Sequence, residues 1–483
     1  MDLKSFEHAL LTLFFIATVF YLRNFLWILY HGLWIPGPYM GTFNVLKRLR
    51  PETLFKIVTD VRGKMKTTYK IFIGPNLWVY LYSPEEARQA LNDINLSRPD
   101  VFNQLNGLVG DGLLVSKGDK WRSHRKSLMP AFHARVLNDF SETICYHADV
   151  FARVVEQNKP IEITERIFLC VLDVICETSM GARISSQTEE KNSYAEAFHE
   201  ASHLLYLRII NPLLSLDWIY NLTSNSRKLR KAIAKIHRLT TGVISERSQI
   251  KSTDEEDKDE INRRRKRALL DTLLHKNNFS LDDVNDEVNT FLFAGVDTTT
   301  ASMCFILWSL GKHQGKQQRL LEEIKTVLGD KKEITNEDIN QMAYLDLYIK
   351  ECQRLYTIVP LTGRQVHKDT QIGNYLLPKG SVLWINNYAM ANDEDYFENP
   401  QEFNPERFLD QECCNKYAYL PFGGGLRECI GKRYAVQMMK MLTVKMILDF
   451  KITLKNPDEE LDLISEMSLK NKSGFNLVFQ KRC

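Results

Sequence analysis

The chain has 483 residues, 44% of them hydrophobic and 25% charged, with a formal net charge of +3. That balance is ordinary for a large globular protein and far too weak to mark a nucleic-acid binder. Nine cysteines without repeated C-x-x-C spacing do not form the pattern of a disulfide framework and fit a reducing compartment.

The first element in chain order is apolar. Ala9–Leu22 runs without a charge, and after Arg23-Asn24 the run resumes from Phe25 to Tyr30. Crossing a bilayer takes about 20 apolar residues, which the two stretches supply together if Arg23 snorkels to an interface. Asp2, Lys4 and Glu7 stand where a cleavable signal would be basic, and no small-residue cleavage site follows. Lys47, Arg48 and Arg50 then hold the bulk of the chain on the cytosolic side. Residues 1–31 are predicted as a signal-anchor that adds nothing to the globular core. Residues 32–50 form a proline-rich hinge around Trp34-Ile35-Pro36-Gly37-Pro38, and residues 51–483 one catalytic domain.

Tyr69–Ile73 and Leu77–Leu81 flank Gly74-Pro75-Asn76, which predicts a hairpin. Ser83-Pro84-Glu85-Glu86 opens a helix with a capping serine and a proline at the first helical position. Helical periodicity then dominates to about Leu355. Lys251–Arg267, dense in both charge signs, reads as a solvated loop. A capping box, Ser280-x-x-Asp283, starts a long helix that ends near Leu310, before Gly311. Short strand and turn signals follow Leu355, and a helix from about Arg433 to Leu448 comes near the end. The fold class is mainly α with a small β region.

The chemistry concentrates in Phe422-Gly423-Gly424-Gly425-Leu426-Arg427-Glu428-Cys429-Ile430-Gly431, which reads F-x-x-G-x-R-x-C-x-G. A thiolate that ligates haem iron needs a tight loop whose N–H groups face the sulfur, where side chains would block the approach. Arg427 is two residues away and can donate to a haem propionate. In mid-helix, Ala294-Gly295-Val296-Asp297-Thr298-Thr299 puts a hydroxyl beside a carboxylate, with Thr298 able to bond back to the Ala294 carbonyl. Glu351 and Arg354 share a helix face, and Pro405-Glu406-Arg407-Phe408 offers a second arginine for a network; an exposed ion pair is the plainer reading. Trp121 and Arg125 sit four apart, and Arg364 follows Pro360 by four. His124 reads as a hydrogen-bonded neighbour rather than an iron ligand.

With these motifs in this order, the chain resembles the cytochrome P-450 family of haem-thiolate monooxygenases over nearly its whole length. Glu287–Thr299 and Asp217–Thr223 are most similar to the eukaryotic fatty-acid ω-hydroxylase branch and its insect relatives. The resemblance implies haem between the long central helix and the cysteine loop, with Cys429 as the metal ligand. It implies that Trp121, Arg125, Arg364 and Arg427 hold the propionates, and that Ala294, Phe422 and Gly431 also contact the cofactor. Asp297 and Thr298 would deliver protons for oxygen activation, and Glu351, Arg354 and Arg407 would form a folding network. Phe291, Val296, Ile358, Val359 and Leu361, with Val109–Leu114 and Leu204–Leu216, would line an apolar cavity and its entrance. The implied partners are a lipophilic substrate, NADPH-cytochrome reductase and cytochrome b5, at the endoplasmic reticulum membrane. One departure stands out: that branch often has a glutamate, able to esterify the haem, where this chain has Ala294. The haem here is therefore expected to be non-covalent haem b, and terminal-carbon oxidation does not follow from the resemblance. A haem-thiolate isomerase or dehydratase, or a non-catalytic haem sensor or carrier, would share the cysteine loop; the Asp297-Thr298 pair speaks against the first.

Overall fold

A computed structural model of the chain describes residues 3–37, 55, 56, 59, 67–73, 76–155, 157–188, 193–250, 269–275, 279–331, 333–409 and 415–482. The charged stretch 251–267, most of the hinge and the Gly74-Pro75 turn lie outside them.

Helix α1 (Leu3–Leu33) leads into the hairpin β1 (Tyr69–Ile73) and β2 (Asn76–Leu81), paired antiparallel from Tyr69 opposite Tyr80 to Ile73 opposite Asn76. Helix α2 (Pro84–Asn92) starts at Ser83, whose hydroxyl accepts from the Glu85 N–H. A two-residue strand β3 (Leu96–Ser97) precedes the helices α3 (Gly118–Leu128), α4 (Ser141–Val154), α5 (Thr164–Met180), α6 (Ser193–Ile210), α7 (Ser224–Ile250), α8 (Leu281–Lys312), α9 (Gln314–Leu328) and α10 (Ala343–Leu355). Between α4 and α5 lies a short strand, Pro160–Glu162, which pairs with the C-terminal strand Asn476–Lys481. The strand Leu361–Val366 and its neighbour Val382–Asn386 complete a five-stranded sheet with β1, β2 and β3. The final long helix is α11 (Lys432–Asp449).

The main apolar core gathers α4, α5, α8, α10 and α11, and a second, smaller core lies with the sheet around Leu77, Val79, Leu383 and Ile385. Helix α8 begins at the reciprocal Ser280–Asp283 capping box and runs through the main core. Its length and hydropathy match those of a membrane span, but it is 78% buried inside the protein, so it is a core helix.

Helix α1 divides into two parts. From Leu11 to Leu22 its large apolar side chains are exposed, Phe14 at 73% and Phe15 at 67%. This stretch is compatible with a membrane anchor. Its last turns are not free of the core. Ile28 and Leu29 pack against the sheet-side core, Trp27 Nε1 donates to Asp369 Oδ2 at 3.1 Å, and Lys70 Nζ donates to the Ile35 carbonyl at 2.6 Å. The expectation that everything before the proline break stands apart from the core is therefore corrected. Where the helix reaches the sheet, Ile28 and Leu29 pack on it, while Leu26, Tyr30 and Leu33 stay exposed on the other side.

Candidate active site

The cysteine loop is shaped by backbone before side chains. The Cys429 N–H donates to the Phe422 carbonyl at 3.0 Å, closing the loop. Gly425 has φ +64°, and a Cβ there would sit 2.2 Å from the Leu91 carbonyl oxygen, so only glycine fits. Cys429 keeps an exposed surface, but the protein packed around the loop pushes its thiol pKa up, while the Gly431 N–H bonded to it and the nearby Arg125 charge pull it down.

Four guanidiniums converge on this loop. Arg427 lies over the Trp121 ring at 3.9 Å and Arg125 over the same ring at 5.6 Å. Desolvation, together with the charges of Arg98, Arg364 and Arg125, pushes Arg427 down to about 9. Arg364 goes the same way, to about 9, through burial and Arg98, and burial takes Arg98 to about 10. A guanidinium keeps its proton in proteins, so these shifts register buried positive charge without a counter-ion among the described residues. The hydrogen-bond partners are carbonyls: Leu114 O for Arg98 Nε, Gly363 O for Arg364 Nη1 and Ser116 O for Arg427 Nη2. Arg427 Nη1 is buried with no partner among the described residues. Such a cluster needs an anion with several acceptor oxygens, and the two carboxylates of haem supply it. The residues present fit the cofactor. Trp121, Arg125, Arg364 and Arg427 were all expected here. Arg98 was not, since a lone arginine before Pro99 carries no local pattern.

Above the loop, α8 shows its accessible stripe. In a stretch otherwise buried, Phe291, Ala294, Gly295 and Thr298 are partly exposed, and at about 100° per residue all four share one face. Thr298 Oγ1 donates to the Ala294 carbonyl at 2.8 Å, as the sequence suggested. Asp297 is buried off this stripe, where its charge faces Lys470 and His199. Val296 is 0% exposed in the main core, which corrects its expected place on the cavity wall: two residues on from Ala294, it faces the opposite side of the helix. Ile358 is nearly buried, while Val359 and Leu361 keep partial exposure. Leu204–Ile210 is largely core, whereas Leu213, Leu216, Trp218 and Leu222 are exposed at 44–82%.

On the far side, Glu351 and Arg354 are both fully buried, which removes the exposed-pair reading. The Glu351 carboxylate accepts from Arg354 Nε at 2.8 Å, Arg407 Nε at 3.0 Å and the Asn404 N–H at 2.9 Å. Arg354 also donates to the carbonyls of Ala391 and Pro400, and Arg407 to those of Glu398 and Glu402. His124 Nδ1 meets Glu287 at 2.7 Å, the hydrogen-bonded role expected of it.

The cytochrome P450 family profile matches residues 32–479. The chain is 32% identical to cytochrome P450 4d2 of Drosophila melanogaster, over 92% of this chain and 93% of that protein. It is 34% identical to cytochrome P450 4V2 of Pongo abelii, over 92% and 88% of the two chains, and 33% identical to the Homo sapiens 4V2 protein. A solved structure, the haem domain of cytochrome P450DA, superposes with a TM-score of 0.81 at 20% identity, covering 93% of this chain and 98% of that one; it speaks to fold alone. Fold and sequence together define a haem-dependent monooxygenase. The chain belongs to the cytochrome P450 family, and its relatives fall in the branch that the α8 signature resembles.

Proposed function

We propose that this protein inserts one oxygen atom of O2 into a small lipophilic substrate, with electrons from NADPH supplied through NADPH-cytochrome reductase and cytochrome b5 as a second donor. It works as a single-pass protein of the endoplasmic reticulum membrane with its catalytic domain in the cytosol. The observation that carries the reading is the cluster of arginines without a counter-anion among the described residues, beside a glycine-cradled cysteine. When bound, haem b supplies redox-active iron, and a thiolate ligand favours O–O cleavage.

The chain's own residues do the rest. Cys429 would ligate the iron, and Phe422 and Gly431 shape its surroundings. Trp121, Arg125, Arg364, Arg427 and also Arg98 would hold the propionates, and Ala294 would border the porphyrin. Lacking a carboxylate at Ala294, the protein holds its haem non-covalently. Thr298 spends its hydroxyl proton on the Ala294 carbonyl, so the lone pairs of Oγ1 face the accessible stripe and accept a hydrogen bond there. Asp297, buried behind this stripe, would feed the proton route from the side of the helix that faces Lys470 and His199. The partly exposed Phe291, Val359 and Leu361, with Ile358 beneath them and Leu114 from the Val109–Leu114 segment, give the cavity apolar walls that exclude water. Glu351, Arg354 and Arg407 brace the proximal side. Exposed Leu213, Leu216, Trp218 and Leu222 dip into the membrane interface beside the anchor.

The test is turnover of a lipophilic library, preselected by binding-difference spectra, with reductase, NADPH and 18O2. Products carrying one 18O and dependent on NADPH are expected. Products formed from peroxides alone, without NADPH, would overturn the assignment in favour of an isomerase. Thr298→Ala should keep its haem, while product per NADPH drops about tenfold and hydrogen peroxide rises to match, since a proton donor's position is lost. Unchanged coupling in that variant would remove Thr298 from the proton route.

A further inference from the structure

The partly exposed stripe of α8 does not end at Phe291. One turn earlier Glu287 lies on the same face, yet it is 0% exposed because another segment covers it. That segment is Val109–Val115. The Leu113 N–H donates to Glu287 Oε2 at 3.1 Å, and His124 Nδ1 donates to Glu287 Oε1 at 2.7 Å. Two buried donors thus converge on one carboxylate, one from the covering segment and one from α3 behind it.

The approach is close along its length. The Asp111 N–H donates to Asp286 Oδ2 at 2.8 Å, and Thr290 Oγ1 to the Val109 carbonyl at 3.3 Å. Lys120 reaches Asp111 at 3.2 Å and Asp283 at 2.9 Å, tying α3, the segment and α8 together. A Cβ on Gly112 would sit 2.2 Å from Thr290 Oγ1, so the backbone lies directly against the helix. Immediately beyond Leu113, the carbonyls of Leu114 and Ser116 accept from Arg98 and Arg427. The segment is therefore pinned at one end by an anion on α8 and at the other by the arginine cluster.

We infer that Glu287 is a positioning residue: through the Leu113 N–H and His124 it sets where the Val109–Val115 wall stands over the cavity, and so which carbon of a bound substrate is presented for oxidation. This rests on the reading of that segment as a cavity wall in a monooxygenase. Glu287 itself touches no reacting atom.

The chemistry of the pair supplies its own control. Glu287→Ala leaves two buried donors without an acceptor. Glu287→Gln keeps the shape, and its carbonyl can still take the Leu113 N–H. Its amide then donates to His124 Nδ1, which becomes an acceptor in the other ring tautomer. Amide hydrogen exchange over 108–116 in the full-length holoprotein reads the latch without reference to activity. Glu287→Ala should exchange there at least tenfold faster, with α8 still protected, and Glu287→Gln should match the wild type. With any substrate that the wild type oxidises, Glu287→Ala should change the ratio of positional products severalfold at equal haem content, and Glu287→Gln should restore it. If Glu287→Ala yields no folded protein, Glu287→Asp, one methylene short of both donors, should give the same faster exchange. Unchanged exchange in the folded variants, or looser exchange with an unchanged product ratio, would overturn the inference. A wild type that binds haem but turns over nothing would count against the monooxygenase reading instead, and the exchange result would still decide the latch.

Discussion

Cys429→Ser should abolish the long-wavelength absorption band of the reduced, carbon-monoxide-treated protein and reduce NADPH-dependent product to background. The substitution removes one polarisable anionic ligand and nothing else in the loop. A serine hydroxyl stays protonated near neutral pH, so it cannot take the thiolate's place as a soft, electron-donating ligand. The loop should survive, because its closure uses the Cys429 backbone N–H and the Phe422 carbonyl, which any residue here retains. Haem should still enter, since the arginines that answer its propionates are untouched, and the protein should keep a haem absorbance of altered shape. Persistence of the long-wavelength band in Cys429→Ser would mean that another residue ligates the iron. The remaining cysteines among the described residues do not suit that part: Cys170, Cys176, Cys304 and Cys352 are buried in the apolar core, where desolvation drives their thiols well above the usual range, and desolvation pushes the half-buried Cys145 up to about 11.

Local signals were the ones the sequence made legible. The cysteine loop, the Ser280–Asp283 capping box, the Thr298 back-bond and the existence of the hairpin each depend on residues a few positions apart, so spacing specifies them, although the second hairpin strand starts at Asn76, which the sequence put in the turn. The arginine cluster was half legible. Trp121, Arg125, Arg364 and Arg427 belong to recognisable runs, but Arg98 acquires its surroundings only when β3 brings it beside the segment that carries Leu114. Val296 was misplaced because neighbours in sequence are not neighbours on a helix; its side chain points away from the stripe that Ala294 and Thr298 share. The last turns of α1 fail for the opposite reason. Their apolar residues satisfy the composition of a membrane span and of a core-packing helix equally, and only the sheet beneath Ile28 and Leu29 decides between them. Glu287 shows the same limit: a glutamate on an amphipathic helix reads as surface until the Val109–Val115 segment is seen to cover it.

The second large effect belongs to Glu351. Replacing it with alanine removes the anion shared by two arginines, of which Arg354 is fully buried. Leaving such charges uncompensated costs about 3–5 kcal/mol, a large share of a domain's net stability. The loss should not stay local. Arg354 holds the carbonyls of Ala391, Pro400 and Glu402, and Arg407 those of Glu398, Asn399 and Glu402, so one carboxylate orients the donors that fix 391–407, the stretch that leads toward the cysteine loop. Glu351→Ala should therefore give little soluble holoprotein, and what forms should lose haem at a lower temperature than the wild type. Glu351→Gln, which keeps one acceptor oxygen but loses the charge and turns the other oxygen into an NH2 donor facing donors, should fall between the two. Arg354→Lys should resemble Glu351→Ala more than the wild type, since a single ammonium cannot reproduce the paired bonds to both Glu351 oxygens at 2.8 and 2.9 Å. If Glu351→Ala keeps full haem content and an unshifted melting transition, the buried network is incidental to the fold. The rigidity of the cysteine loop would then have to come from the glycine-shaped backbone and the α11 contacts alone.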